Sequence, residues 1–474
     1  MKLKELFEDI DYKRSLFIDW EKQIEHICYN SHQVKKGDIF VAIKGFKEDG
    51  NTFIPQALKK GAEVIITENC LKADFPCIEV ENARIALSRL SANYFFHPSR
   101  KLNVIGITGT NGKTTTSFLI DSIFKQVGKT GIVGTTGCFY DGVKKKSSIT
   151  TPESLDIQRL FCEMLNRGIE YVSLEVSAHG ITLYRLHDVD FKVKVFTNVS
   201  QDHLDFYKTL ENYGNTKFSF FDEKTRVVVN TDDKLGKEIE KKTSAISYGF
   251  DKLCDIYPIS FISDIHGIEA SISTPKGEIL IKSPLVGEYN LYNIMASIGV
   301  ALWIDIDFSK IREGIFNLKG VSGRMERFSS NGVDFFVDYA HTPDALGNVL
   351  VVLEKLKRNR LIVVFGAGGD RDKVKRPKMG KVASLLSDVI ILTSDNPRSE
   401  DPQAIIDGIL IGIDNRKKVI VEKDRREAIR MAVNIAKKDD IVLIAGKGHE
   451  TYQIVGKKKI PFDDRKELRK VLYD

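Results

Sequence analysis

The residues best able to do chemistry lie in Thr108-Gly-Thr-Asn-Gly-Lys113-Thr-Thr115, between an apolar hexapeptide, NVIGIT, and an amphipathic run, TTTSFLIDSIFKQVG. A strand, a glycine-bearing turn and a helix in that order make an anion site, because backbone N–H groups and the helix dipole both face the turn. Backbone N–H groups from Gly109 through Thr110, Asn111 and Gly112 to Lys113 can curl around a triphosphate. The Lys113 ammonium would reach the β- and γ-phosphates and the Thr114 hydroxyl would hold Mg²⁺, with Thr115 beside it. The common phosphate-loop pattern requires glycine at position 107, where this chain has Ile107, so the loop departs from that form. A second polar turn, Asp395-Asn396-Pro397-Arg398, follows the apolar run VIILTS, at the carboxyl edge where a doubly wound sheet binds ligands. Taken alone, it is also a proline-stiffened turn. GAGGDR (366–371) has Arg371 where a dinucleotide fingerprint needs its last glycine, which argues against hydride transfer.

Elements able to position these groups are legible along 474 residues, too many for one ordinary core. GDIFVAI (37–43) and AEVIIT (62–67) read as strands, with helices at IPQALKKG (54–61) and NARIALSRLSANYF (82–95). HPSRKL (97–102) reads as a boundary. GIVGTT, YVSLEVS, VKVFTNVS and RVVVN are then apolar strands, and LDIQRLFCEMLNRG is a helix between two of them. Runs without alternation fit buried parallel strands with crossover helices. GIEASIST and GEILIKS alternate around Pro-Lys-Gly and predict antiparallel strands. Beyond Arg327, LIVVFGAGG, VIILTSDNP, VIVEK and IVLIAGKG predict a second doubly wound sheet. The fold class is therefore α/β in three domains. Residues 1–100 form a small mixed α/β domain, 101–326 a central phosphate-loop domain with a parallel sheet, and 327–474 a Rossmann-like domain.

Composition narrows the partners. Apolar residues are 42% and charged residues 29%, as in a folded globular chain, and no run approaches the ~18 apolar residues of a membrane span. The opening MKLKELFEDIDYKR lacks a signal-peptide core, so a cytoplasmic protein is expected. Seventy-one basic residues against 65 acidic ones give a net charge of +6, too little at this length to suggest nucleic acid. Six scattered cysteines without a CxxC pair predict reduced thiols rather than disulfides or zinc. Lysine runs at 144–146 and 457–459 read as solvated loop tips.

The chain resembles the ATP-dependent Mur ligases, and among them the synthetases that add the third residue of the peptidoglycan stem. The matching stretches, in order, are GDIFVAIKGFKEDG, TGTNGKTTT, TTPES, LEVSAHG, NVSQDHLDFY, YGNTKFSFF, GEYNLYN, GRMERF, DYAHTPDAL, GGDRDKVKRP, SDNPRSEDP and AGKGHETYQ. The resemblance implies a UDP-binding domain, an ATPase and a Rossmann-like domain. It also implies a reaction in which ATP turns a carboxylate into an acyl phosphate and an amine displaces phosphate to form an amide. Catalytic groups implied are Lys113, Glu175, His203, Lys217 and Arg324, and those implied for two Mg²⁺ ions are Thr114, Glu175, His203 and Lys217. In the family the lysine matching Lys217 carries a carbamate (N6-carboxylysine), which replaces a repelling ammonium with an anionic oxygen donor. Asn290, Asn293, Arg324 and Asp338 match nucleotide-contacting positions, with His341 near them.

Substrate positions follow by the same resemblance. Thr150, Thr151, Ser177 and Arg185 match residues that bind UDP-MurNAc-L-Ala-D-Glu, while Ser31 and the loop 45–50 match its uridine-diphosphate side. Thr150-Thr151-Pro152-Glu153 also reads locally as a threonine-capped helix start. Ile149 and Leu183 stand where relatives often have asparagine and glutamine, so no contact is assigned to them. The D-N-P-R turn (Asp395, Asn396, Pro397, Arg398), with Arg371, Gly446 and Glu450, implies meso-diaminopimelate as the added amino acid. Arginine can grip that molecule's second carboxylate through two parallel N–H bonds. Lanthionine, which keeps both carboxylates, is admitted by the same logic, whereas lysine should be poor. A monomer without nucleic-acid or membrane partners is expected. The competing readings are folylpolyglutamate synthetase, the enzyme adding D-alanyl-D-alanine, and a phosphate-loop switch without ligase activity.

Overall fold

A computed structural model describes residues 1–45, 48–71, 73–147 and 149–473. The chain forms two compact units, one of residues 1–106 with 128–194, the other of 107–127 with 195–474. In the first unit a five-stranded sheet runs in the order Arg14–Leu16, Cys77–Glu79, Val64–Thr67, Ile39–Val41, Ile27–Cys28, and only Arg14–Leu16 is antiparallel to its neighbour. Ile39, Val41, Ile66 and Ile78 bury against Leu87 and Leu90 of helix Ala83–Tyr94. That helix starts where Asn82 accepts hydrogen bonds from the amides of Arg84 and Ile85. The expected boundary at 97–102 is a short 3-10 turn, Pro98–Lys101, with Pro98 and Ser99 buried.

Further along the same unit, Tyr171–Val176 pairs in parallel with Thr130–Gly134, as expected for buried apolar strands. Gly137–Tyr140 and Val143–Lys145 then add antiparallel, so this edge is a meander rather than another crossover. Lys144 and Lys145 are therefore strand residues, not loop-tip residues, although both are exposed. The threonine-cap expectation also fails. Helix Ser154–Asn166 begins after Glu153, and the Thr151 hydroxyl serves strand Tyr171–Val176 instead. A further correction concerns the cysteines. Cys70 and Cys77 are joined in a disulfide beneath strand Val64–Thr67, leaving Cys28, Cys138, Cys162 and Cys254 free. The spacing of seven residues hid a pair that the sheet brings together.

The second unit holds helix Lys113–Phe124, which packs against helices Glu288–Trp303 and Phe308–Asn317. Gly314 allows this: a Cβ there would lie 2.3 Å from Ile123 Cα. Strands Arg226–Asn230 and Ala245–Tyr248 pair in parallel. Tyr257–Asp264, Gly267–Thr274 and Gly277–Ser283 form the predicted antiparallel sheet, turning at Pro275 and Lys276. A six-stranded sheet follows in the order Glu326–Ser330, Val333–Asp338, Ile441–Ala445, Leu361–Phe365, Val389–Leu392, Lys418–Val421, parallel except for its first hairpin. The strand of this sheet that comes last in the chain, Ile441–Ala445, inserts between the second and third, so the carboxyl ends of 361–365, 389–392 and 441–445 lie side by side at the topological switch. Lys458 and Lys459 lie in the hairpin strand Lys458–Pro461 rather than in a loop tip. Among the described residues, no helix is long and apolar enough to cross a membrane.

Candidate active site

The phosphate loop is built as its sequence predicts, and its glycines have local reasons. Gly112 has φ +86°, and a Cβ on it would lie 2.5 Å from Asn293 Oδ1; on Gly109 one would meet Thr197 Oγ1. Thr197 donates to Asn111 O at 2.6 Å, and Asn198 Oδ1 accepts from Asn111 N at 3.0 Å, so the turn is held from beneath by the segment after strand Val193–Phe196. Thr110 N donates to Asn198 O. Lys113 Nζ folds back onto the carbonyls of Gly109 and Thr110 at 2.8 and 2.9 Å, where it lies over the cradle. Thr114 and Thr115 are buried in the first helical turn.

Several predicted partners converge there. Asn293 accepts from Thr116 Oγ1 at 3.2 Å and donates to Asn290 Oδ1 at 2.9 Å, so both asparagines brace the helix start rather than project from it. Arg324 Nη2 lies 3.3 Å from Thr114 Oγ1, its guanidinium stacks on Tyr339 at 4.6 Å, and its Nε is buried without a hydrogen-bond partner. An arginine with an unsatisfied buried N–H beside a phosphate loop is suited to an anionic ligand. Asp338 spends both oxygens on backbone, accepting from Met325 N and Ala340 N at 2.7 Å each. It therefore sets the path of the chain that carries Arg324. His341 Nδ1 contacts Tyr339 O at 2.9 Å, and burial with nearby Lys375 lowers its pKa to about 4.

Lys217 lies on helix Leu210–Phe218 and is almost wholly buried. Its Nζ donates to Gly109 O at 2.9 Å and sits 4.5 Å from the Tyr213 ring centre, and no carboxylate of the described residues touches it. Burial, reinforced by Lys113, pushes its pKa well below the usual lysine range despite an opposing pull from Asp202. His203 has a left-handed backbone, φ 53°, with Nε2 3.4 Å from Asp202 Oδ2. No group of three or more His, Cys, Asp or Glu side chains able to hold a metal occurs among the described residues. The expected Mg²⁺ set draws only Glu175 and His203 from those types, and needs the Thr114 hydroxyl and an oxygen on Lys217 to complete it.

In the first unit, Glu175 is fully buried, accepting from Thr135 N at 3.1 Å and Thr135 Oγ1 at 2.7 Å. Thr135 also reaches Thr150 Oγ1 at 3.1 Å. Thr151 Oγ1 donates to Glu175 O and contacts Ser177 Oγ at 3.0 Å, and Arg185 binds Thr151 O at 3.0 Å and Glu153 at 3.3 Å. The four expected substrate residues, Thr150, Thr151, Ser177 and Arg185, thus form one cluster with Glu175. Ser31 stands outside it, hydrogen-bonded to Gln56 at 2.8 Å. In the loop 45–50, Phe46 and Lys47 lie outside the described residues, and Asp49 caps the following turn by accepting from Asn51 N. Ile149 is exposed and Leu183 buried, and neither supplies a polar group to the cluster.

At the switch point of the six-stranded sheet, Asp395 and Asn396 are buried and Arg398 adopts φ 53°. Arg398 Nη1 donates to Gly369 O at 2.7 Å, and Gly368 sits beside two arginines: a Cβ there would lie 2.9 Å from Arg398 Nη1 and 3.7 Å from Arg371 Cγ. Arg376 cross-braces these loops. It holds Glu400 at 2.8 and 3.0 Å, keeping that carboxyl down at about 2, and Glu400 accepts from Asp370 N at 2.6 Å. Pro397 O packs against Gly369, where any side chain would collide. Gly446 has φ +115°, and a Cβ on it would come within 3.3 Å of Asp395 Oδ2. Beneath lie charged residues the sequence reading passed over. Fully buried Lys447 contacts Asp395 Oδ1, Asn396 Oδ1 and Glu450 Oε2 at 3.4, 3.2 and 2.9 Å. Arg425 pairs with Asp464 at 2.7 and 2.8 Å. Burial opposes ionisation of Asp395, but Lys447 and Arg425 outweigh it and its pKa is lowered. The signal for Lys447 was present, a lysine between two glycines at the end of an apolar strand.

A phosphate loop joined to a polar switch-point pocket is the frame of a nucleotide-dependent ligase, and similarity to known proteins is specific. Family models match in sequence: "Mur ligase family, catalytic domain" at 23–95, "Mur ligase middle domain" at 107–301 and "Mur ligase, glutamate ligase domain" at 323–448. The chain belongs to the Mur ligase family. The UDP-N-acetylmuramoyl-L-alanyl-D-glutamate–2,6-diaminopimelate ligase of Clostridium botulinum is 42% identical, covering 100% of this chain and 99% of its own. That of Clostridium tetani is 43% identical over the same shares. A solved ligase of that name superposes with TM-score 0.71 at 32% identity, covering 100% and 98% of the two chains. A MurF ligase of Thermotoga maritima in complex with ADP shares the fold, with TM-score 0.66 at 22% identity over 95% of this chain and 98% of its own.

Proposed function

We propose that this protein is the ATP-dependent ligase that joins meso-2,6-diaminopimelate to the D-glutamate γ-carboxylate of UDP-MurNAc-L-Ala-D-Glu in peptidoglycan precursor synthesis. The observation that carries the reading is the switch-point pocket: Arg398 and Arg371 flank Gly368 at its rim, and Glu450 lies with Asn396 and Lys447 below. A cationic rim and an acidic floor suit a chain end bearing both a carboxylate and an ammonium. Lysine would leave the rim unpaired, which a polar site penalises more than an apolar site penalises a missing methylene. The relatives of matching length carry UDP-N-acetylmuramoyl-L-alanyl-D-glutamate and 2,6-diaminopimelate in their names.

A carboxylate resists attack by an amine, so its activation by ATP supplies a phosphate leaving group, and the protein's work is bringing anions together. The Gly109–Gly112 turn and Lys113 would hold the β- and γ-phosphates, and Arg324 would cover the transferring group with the N–H left unsatisfied in its pocket. Asn290, Asn293 and Asp338 act by bracing these parts. Thr114, Glu175, His203 and Lys217 would hold Mg²⁺, which neutralises phosphate charge when bound. The environment of Lys217 fits that assignment: burial pushes its pKa well below the usual lysine range, an amine in its neutral form can add CO₂, and the resulting N6-carboxylysine would place oxygen where an ammonium would repel a cation. Ser31, Thr150, Thr151, Ser177 and Arg185 would receive the nucleotide substrate. The three-part division at 1–100, 101–326 and 327–474, a cytoplasmic location and a monomeric state belong to the same reading.

Coupled ADP release tests it, using UDP-MurNAc-L-Ala-D-Glu with meso-diaminopimelate, lanthionine or lysine. Turnover should be highest with meso-diaminopimelate, measurable with lanthionine and poor with lysine. Equal kcat/KM for lysine would sink the amino-acid assignment, and ATP binding without ADP release would leave a phosphate-loop switch instead.

A further inference from the structure

Lys447 is a charged group at the switch point to which the reaction above gives no task, and it contacts Glu450 directly. Its side chain is fully buried at the end of strand Ile441–Ala445, and its backbone is fixed on both sides. Gly446 and Gly448 have φ +115° and +51°, and a Cβ on Gly448 would lie 2.5 Å from Gly323 O and 2.7 Å from Tyr339 Cβ. A lysine held so tightly cannot swing out to meet ligand. Its three N–H donors have three acceptors, Asp395 Oδ1, Asn396 Oδ1 and Glu450 Oε2.

Glu450 shows what this arrangement leaves over. Oε2 accepts from both Lys447 Nζ at 2.9 Å and Asn396 Nδ2 at 3.0 Å, whereas Oε1 accepts from no described residue. Asn396 is itself fixed, because its Oδ1 also accepts from Ile454 N at 2.9 Å. The carboxylate is therefore clamped by one oxygen and presents the other.

We infer that Lys447 is a positioning and specificity residue: by clamping one oxygen of Glu450 it presents the other to a single ammonium on the incoming amino acid. The inference rests on the ligase reading and deepens it, since it names which feature of the nucleophile is selected and by what. Without Lys447, Glu450 keeps the single hydrogen bond from Asn396, about which its carboxylate can turn, and the site loses its means of telling a substrate with a distal ammonium from one without.

The probe is 2-aminopimelate, which keeps both carboxylates and one amine but lacks the second amine. The intact enzyme should prefer meso-diaminopimelate over it by about a hundredfold in kcat/KM. Lys447→Met should raise the KM for meso-diaminopimelate at least about tenfold, leave the KM for ATP unchanged, and bring the two amino acids to within about threefold of each other. Adding Glu450→Gln to Lys447→Met should then cost little more. A purely structural role would lower both amino acids by the same factor and keep their ratio, which would overturn the proposal. Should Lys447→Met fail to give a native circular dichroism spectrum, Lys447→Gln carries the same expectation, and an unchanged ratio there counts equally against it. Wild-type turnover of meso-diaminopimelate without preference over 2-aminopimelate overturns the role of Lys447 alone. No wild-type ADP release with meso-diaminopimelate overturns the ligase reading beneath it.

Discussion

Two lysines in the second unit are buried to the same degree and put to opposite uses. Lys217, 1% exposed, faces a carbonyl and an aromatic ring; Lys447, at 0%, faces two carboxylates and an amide. Burial pushes the Lys217 pKa well below the usual lysine range, whereas Lys447 is held in ion pairs with Asp395 and Glu450. The first is an amine whose charged form burial disfavours, the second a fixed partner of two carboxylates. Burial alone predicts neither role; the acceptors within about 3.5 Å decide.

The comparison breaks most readily at Lys217. If its use is as a neutral amine that becomes an anionic donor, Lys217→Ala should lower kcat by about a thousandfold, the scale seen when a group that stabilises a transition state is removed. Short carboxylic acids added to the assay should restore part of the loss by occupying the vacated site. Lack of any rescue in a folded variant would mean that the amine itself, not a carboxylate made from it, is needed. At the other pocket, Arg398→Leu should lower kcat/KM for meso-diaminopimelate by about a hundredfold, the value of a lost charge-assisted pair, and leave the poor rate with lysine unchanged. A parallel fall with lysine would show that Arg398 serves the loop, not the ligand. Arg376 is the sharper control, because its side-chain hydrogen bonds among the described residues go to Glu400. Arg376→Met should loosen both arginine-bearing loops and lower kcat/KM for meso-diaminopimelate by about tenfold, mainly through KM. An unchanged KM would sink that bracing role.

The two pockets also differ in how far the sequence disclosed them. The phosphate loop was readable because its function is written in consecutive residues, where Gly109, Gly112, Lys113 and Thr114 each have a local reason to be what they are. Arg398 was placed at a strand's carboxyl edge from the pattern, but its role, like that of Glu450, was reached only through resemblance, since a polar turn after an apolar strand has many uses. Lys447, Arg425 and Asp464 were not reached, because their meaning comes from contacts across 39 to 52 positions of sequence. The same limit explains the cysteine error. Cys70 and Cys77 meet only because parallel strands Val64–Thr67 and Cys77–Glu79 lie side by side. Thr151 reads as a cap from its neighbours, but its hydroxyl bonds Glu175 O and contacts Ser177 Oγ, some 24 to 26 residues away. Asp338 was expected at the nucleotide, yet its oxygens hold two backbone amides that shape the chain around Arg324.

Burial should act on an imidazole as it does on Lys217, against an opposing pull from Asp202 in both cases, and His341 offers that test at smaller scale. Its pKa is lowered from 6.5 to about 4, by burial first and by Lys375 second. The unfolded chain therefore binds more protons than the folded one between these values. The stability that His341 contributes as a neutral group is complete above pH 6.5 and is lost as the pH falls toward about 4. Between pH 7 and pH 5 the loss should be about 1–2 kcal/mol, at 1.36 kcal/mol per pH unit over the part of the window crossed. Urea unfolding of the wild type and of His341→Gln at both pH values reads that share together with the coupling of His341 to Asp202 and Asp395. The wild type should lose more stability than the variant by that amount. Equal losses would mean that His341 meets water or an acid in solution, and that burial sets the state of Lys217 but not of its neighbour across the pocket.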